Sequence, residues 1–182
     1  MYIRARGFLL SAFGSFSSPS STYLRLYLHR MSWDSYITNI MTADPSGTVP
    51  VRLAVICGKN PPSVWASSPG ITVTPEQMKV LCGDGSTFGQ CSPTIGPYKC
   101  RMLRNNKDTD GLWCIDFKTA ADAEGNTFSV CVGYTLTAIV IGIGTKEASG
   151  GQVSAKVFGI VTYLRQKQHV RTHGHRPPPP TR

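Results

Sequence analysis

The sequence predicts an α+β fold, a single domain over about residues 31–168 of the 182-residue chain. Three observations predict it. Apolar residues recur at helical spacing near both ends of that span. Short runs of β-branched and apolar residues fill most of its interior. The later runs are joined by tight Asp, Gly and Asn turns, which link neighbouring antiparallel strands. Helices with one apolar face must then cover the sheet.

Trp33, Tyr36, Ile37 and Ile40 fall at i, i+3, i+4 and i+7, predicting a short amphipathic helix that Asp44-Pro45-Ser46-Gly47 ends. Val49 to Cys57 and Ser63 to Ser67 read as two strands around a Gly58–Pro62 turn. Thr74-Pro75-Glu76-Gln77 opens a second helix, with Thr as N-cap, Pro at N1 and Gln placed for a capping box, and that helix stops near Gly83. Residues Gly85 to Pro97 read as loop or irregular strand. Cys100–Asn105, Leu112–Lys118, Phe128–Thr135 and Ala138–Gly144 follow as strands, with turns at Asp110-Gly111 and Gly125-Asn126. Val153, Val157, Ile160, Val161 and Leu164 then mark a last helix.

The formal net charge of +9 is concentrated at the chain ends. All ten acidic residues lie between Asp34 and Glu147, whereas Arg4, Arg6, Arg25, Arg30, Arg171, Arg176 and Arg182 lie outside that span. The middle is left with twelve basic residues against ten acidic ones. A fold that binds nucleic acid through a basic face concentrates charge in the fold itself, so no nucleic-acid partner is expected for the domain. The alternative is a nucleic-acid or membrane-surface binder driven by the basic ends. Residues 1–30, Ser- and Arg-rich and free of acids, read as a disordered leader, with a transit peptide as the competing reading and Met31 as a second candidate start. Residues 169–182 read as a disordered basic tail whose Pro177–Pro180 run favours polyproline II.

The inventory argues against an enzyme. The four histidines, His29, His169, His173 and His175, all lie outside the folded core, so a Ser-His-Asp or Cys-His site would need an end of the chain to fold back. Gly83-Asp84-Gly85-Ser86 and Gly142-Ile143-Gly144-Thr145 complete no phosphate-binding fingerprint and read as turns. Six cysteines with no C-x-x-C pair argue against a zinc ribbon or thioredoxin-like centre, and reduced thiols in a cytoplasmic protein are expected. No metal and no cofactor is expected; the tail histidines lack a rigid second shell.

Three aromatics invite a binding role. Trp33 and Tyr36 lie one helical turn apart, and Trp65 sits on a short strand. Bulky aromatics most often fill a core. The competing reading is a groove whose ring faces meet the pyrrolidines of a polyproline II ligand.

Met31-Ser32-Trp33-Asp34-Ser35-Tyr36-Ile37, Pro62-Ser63-Val64-Trp65-Ala66-Ser67, Ile71-Thr72-Val73-Thr74-Pro75-Glu76, Gly96-Pro97-Tyr98-Lys99-Cys100 and Leu164-Arg165, in that order and spacing, resemble the profilin family over about residues 31–168. The resemblance implies a central antiparallel sheet with the N- and C-terminal helices on one face and the shorter helix on the other. It implies a polyproline groove of Trp33, Tyr36, Trp65, Tyr163, Leu164 and His169, with Tyr163 in place of a frequent histidine and His169 in place of a terminal tyrosine. It implies an actin face of Lys99, Arg104, Lys118, Thr127, Gly151 and Phe158, and phosphoinositide contacts from Lys99, Lys118 and Arg165. The implied partners are monomeric actin, proline-rich proteins such as actin elongation factors, and phosphoinositide lipids, for a mostly monomeric, cytoskeleton-associated regulator of actin polymerisation. Ala120 and Ala155 stand where relatives carry lysines, Ser149 replaces a histidine and Gly159 a glutamate, which implies weaker actin binding. The Pro177–Pro180 run is a candidate occupant of the chain's own groove.

Overall fold

The protein is described by a computed structural model covering the backbone of residues 33–173 and the side chains of 33–167. The leader 1–30, the Met31 start, the proline run and the side chain of His169 lie outside the described residues. Helix α1 spans 33–41, its i, i+3, i+4 apolar stripe turned inward. It gives way to an Asx turn in which Asp44 Oδ1 accepts from the backbone N–H of Ser46 (2.9 Å) and Thr48 (3.1 Å).

Strand β1 (Val51–Lys59) pairs with β2 (Pro62–Ser67) as an antiparallel hairpin. Helix α2 (Pro75–Cys82) carries the expected capping box: Thr74 Oγ1 accepts from Gln77 N, and Gln77 Oε1 accepts from Thr74 N. The Gly85–Pro97 stretch, read as loop or irregular strand, holds a 3-10 turn at Gly85–Gly89 and a two-residue strand β3 (Thr94–Ile95). Strands β4 (Tyr98–Asn106), β5 (Cys114–Thr119), β6 (Ser129–Tyr134) and β7 (Ala138–Gly144) follow. β5 starts two residues later than its sequence suggests. Trp113 adopts φ +47, and its N–H together with that of Leu112 closes onto Thr109 O, so the turn consumes both residues. Helix α3 (Gly150–His173) is started by Ser149, whose Oγ accepts from Gln152 N while Gln152 Oε1 accepts from Ser149 N. It continues to His173, so the backbone of the first residues assigned to the tail is helical.

The strands form one seven-stranded sheet in the order β2-β1-β7-β6-β5-β4-β3, every described pairing antiparallel. Alternation along its strands, interrupted at three register shifts, feeds two apolar layers. On one face Met78 and Leu81 of α2 join Val55, Ile115, Phe117, Val130, Val132, Ile139, Ile141 and Ile143. On the other, Trp33, Ile37 and Ile40 of α1 and Val153, Val157, Val161 and Leu164 of α3 pack on Val51, Ala54, Ile56, Cys114, Cys131 and Val140. Two helices therefore share one face and the short helix takes the other, as expected.

α3 lies very close to the sheet. A Cβ on Gly133 of β6 would stand 2.4 Å from Val161 Cγ2 and 2.8 Å from Val157 Cγ1. Gly133→Ala should therefore overpack this interface and cost about 1–3 kcal/mol. Urea unfolding checks it, and a Val161→Ala change in the same chain should recover part of the loss. An unchanged midpoint in the single variant would contradict the packing described.

Candidate functional site

Four aromatic rings from three elements stand in a row. Trp65 of β2 lies 4.7 Å from Trp33 of α1, centroid to centroid; Trp33 lies 5.5 Å from Tyr36; and Tyr36 lies 5.9 Å from Tyr163 of α3. All three pairs are tilted by 43–51°, a favourable arrangement of ring quadrupoles. Trp33 is 9% exposed and Leu164 5%, so these two lie deepest. Tyr36 and Trp65 are half-buried and Tyr163 is 43% exposed, so these three reach the surface. Core and groove are thus not alternatives for Trp33, whose ring belongs to the apolar layer and to the row at once.

The placement of Trp65 depends on two features that its sequence neighbourhood does not announce. In the β1–β2 ladder Ile56 pairs with Ala66 and Cys57 with Val64, leaving Trp65 as the extra residue of a bulge. A bulge breaks the alternation and re-aims one side chain. The indole then lies on the bare backbone of Gly58, where a Cβ would stand 2.6 Å from Trp65 Cε2 and Nε1. Gly58 reads in the sequence as a turn residue; its role as the seat of an indole appears only with the pairing register.

A second cluster lies across the sheet, along the first turns of α3. Arg104 of β4 donates from Nε (2.9 Å) and Nη2 (2.6 Å) to Asp116 Oδ2 on β5, while Ser154 Oγ of α3 donates to Asp116 Oδ1 at 2.6 Å. The Asp116 side chain keeps only 11% of its surface, against 63% for Arg104. Phe158, one turn beyond Ser154, is 37% exposed. Lys118 Nζ donates to Ser129 Oγ at 3.4 Å, and Ser129 Oγ donates to Ala148 O just ahead of α3 and Gly151. Exposed Lys99 and half-buried Thr127 flank the same end of β5, where Ala120 N donates to Lys99 O and Thr119 N to Phe128 O. Five strand steps of about 4.8 Å separate β2 from β4, so the ring row and this cluster sit toward opposite edges of the sheet.

Arg165 does not join Lys99 and Lys118. Its guanidinium lies 4.0 Å over the Trp113 ring and donates from Nη1 to Tyr134 O at 2.9 Å, and desolvation lowers its pKa. Trp113 and Tyr134 stand at the other end of β5 and β6, about 16 Å along the strand from Lys118. In its place Arg101, exposed and directly opposite Lys118 in the ladder, completes a cationic group with Lys99. Asp116 and Arg101 were not among the residues singled out in the sequence. A carboxylate at an inward position of a strand rich in buried residues was the available signal for Asp116.

Among the described residues, neither ring row nor ion-pair cluster contains a histidine, and all six cysteines are unpaired. Burial pushes the Cys57 and Cys100 thiols up to about 12, which leaves them inert as nucleophiles. No helix among the described residues is long and apolar enough to cross a membrane.

Comparison with known proteins agrees with this architecture. A profilin family model matches residues 31–169. Human profilin-1 is 33% identical over 141 residues, covering 75% of this chain and 98% of its own length. Bovine profilin-2 is 27% identical over 137 residues, covering 73% of this chain and 95% of its own. Mouse profilin IIa, solved in complex with a double repeat from the FH1 domain of mDia1, superposes with a TM-score of 0.66 at 27% identity, covering 75% of this chain and 98% of its own. With a family model spanning most of the chain and relatives covered almost end to end, the chain belongs to the profilin family.

Proposed function

We propose that this chain holds proline-rich segments against the row Trp65–Trp33–Tyr36–Tyr163, and an actin monomer against β4–β6 and the first half of α3. Membership of the family makes it a non-enzymatic, actin-binding regulator of polymerisation. The observation that carries the finer reading is the convergence of four rings from α1, β2 and α3 into one partly open row. Polyproline II rises about 3.1 Å per residue with three residues per turn, so rings 4.7–5.9 Å apart meet pyrrolidine faces one to two residues apart. The mouse profilin IIa complex with an FH1 repeat supports the same use of this fold. His169, whose side chain lies outside the described residues, remains a candidate rim contact.

For the actin face, Phe158 supplies an exposed apolar anchor, and Arg104 is held in one orientation by Asp116, which Ser154 holds in turn. Lys99, Lys118, Thr127 and Gly151 line its border. Ala120 and Ala155 bring no charge to it, and lost charge pairs at an interface slow association. Phosphoinositide headgroups suit Lys99 and Lys118, with Arg101 between them, by attraction to an anionic surface. The ring row and the actin face are far enough apart to be occupied together, so a tethered proline-rich partner raises the local monomer concentration.

Titration with a proline-decamer peptide should change the tryptophan fluorescence of the full chain. Tyr36→Ala should weaken binding by about 1–3 kcal/mol, the range of a contact that a core aromatic makes at an interface. Gly58→Ala should lift the Trp65 indole and lower peptide affinity while leaving actin binding unchanged. Peptide binding that is indifferent to both variants would remove the groove. Against actin monomers, the affinity should fall below that of human profilin-1 measured side by side, and Arg104→Ala should lower it further. An affinity equal to that relative's would refute the weakened-interface reading.

A further inference from the structure

Beneath α3, on the sheet face that also carries Arg104, two thiols and a carboxylate meet. Cys114 and Asp116 lie two residues apart on β5 and point to the same face; Cys131 lies directly opposite Asp116 on β6. One ligand atom from each, two Sγ and a carboxylate oxygen, all lie within 4.8 Å of one another. All three residues are buried, at 7%, 8% and 1% exposure in the order Cys114, Asp116, Cys131. We propose that Cys114, Asp116 and Cys131 form a binding site for a thiophilic divalent cation, zinc by preference, with a water as the fourth ligand.

Geometry favours a bridging ion over a disulfide. Cys114 pairs with Gly133 and Asp116 with Cys131, so the two cysteines are diagonal neighbours with Cα atoms about 7–8 Å apart. Disulfides need Cα atoms within about 6.8 Å. A tetrahedral zinc with bonds of about 2.3 Å to sulfur and 2.0–2.2 Å to oxygen holds two sulfurs about 3.8 Å apart. The two sulfurs, within 4.8 Å of each other, lie within reach of that spacing.

Charge and hydrogen bonding also suit an ion. Two thiolates, the Asp116 carboxylate and the Arg104 guanidinium sum to about −2, which one divalent cation neutralises. Asp116 Oδ1 accepts one protein hydrogen bond, from Ser154, and retains a lone pair for a metal, while Oδ2 accepts two from Arg104. Those two donors fix the carboxylate as outer-shell partners do at metal centres. A cation displaces both thiol protons. Paired thiolates select zinc over the oxygen-preferring magnesium and calcium.

The test uses the full chain, reduced and stripped of metal. Cobalt(II) should bind with the ligand-field bands of a tetrahedral site and a thiolate-to-cobalt charge-transfer band, and zinc should displace it. Cys114→Ser with Cys131→Ser should abolish that band, whereas Cys91→Ser, at an exposed position, should leave it unchanged. Because the double variant can lose its fold, a second measurement uses the native sequence alone. In mild urea, zinc at 100 times its Kd should slow iodoacetamide labelling of Cys114 and Cys131 about 100-fold, as mapped by mass spectrometry. Cobalt spectra without sulfur charge transfer, which is what the imidazoles of His169, His173 and His175 would produce, overturn the proposal. A band that survives in the double variant, or labelling of Cys114 and Cys131 that zinc does not change, overturns it as well.

Discussion

Everything in this domain hangs on how closely α3 approaches the sheet. A helix that packs over side chains of ordinary size is held off the sheet by their bulk. Here Gly133 presents bare backbone to Val157 and Val161, and the helix settles into the gap. That contact sets the height at which α3 carries Ser154 onto Asp116, Phe158 to the surface, and Tyr163 beside Tyr36. One rigid helix therefore serves both regions, its first turns the ion-pair cluster and its later turns the ring row. The two regions are held in fixed relation by a single element buried along one side.

The ring row is a compromise between packing and exposure. Trp33 contributes to the apolar layer beside Ile37 and Ile40, yet its indole still contacts Trp65 and Tyr36. Burying one aromatic fixes the positions of the next, and a surface that is ordered before a ligand arrives loses less entropy on binding. The bulge at Trp65 matters for the same reason. Without the extra residue, strand alternation would turn either Trp65 or Ala66 away from α1. With it, Ala66 stays in the layer and Trp65 reaches the row.

The polar group under α3 obeys a different constraint. A buried carboxylate is costly unless it is paired and hydrogen-bonded. Asp116 meets that demand through three donor contacts from two elements, β4 and α3. Arg104 is thereby held in a single orientation although most of its surface meets solvent. At the far end of β5, Arg165 is similarly committed, to the face of Trp113 and the carbonyl of Tyr134. Cations that look equivalent in the sequence thus divide into those bound to the scaffold and those, such as Lys99 and Arg101, left facing outward.

By itself the sequence determined what depends on near neighbours along the chain. The apolar spacing of α1, the Thr74–Gln77 capping box, the tight turns and the run of strands were all legible because helix periodicity, caps and turns act over three to five residues. The family resemblance was legible too, since its motifs recur in order. Tertiary structure alone decided what depends on register between strands that are distant in sequence. Trp65 lands on Gly58 because one residue is inserted in the β1–β2 ladder; Cys131 faces Asp116 because β5 and β6 pair in one register and no other; Arg165 leaves Lys118 because α3 carries it to Trp113 and Tyr134, at the other end of β5 and β6. A slip of one residue would turn the strand side chains among these to the other face. No local pattern records which slip is chosen, because the choice is made by the packing of the whole sheet against its helices.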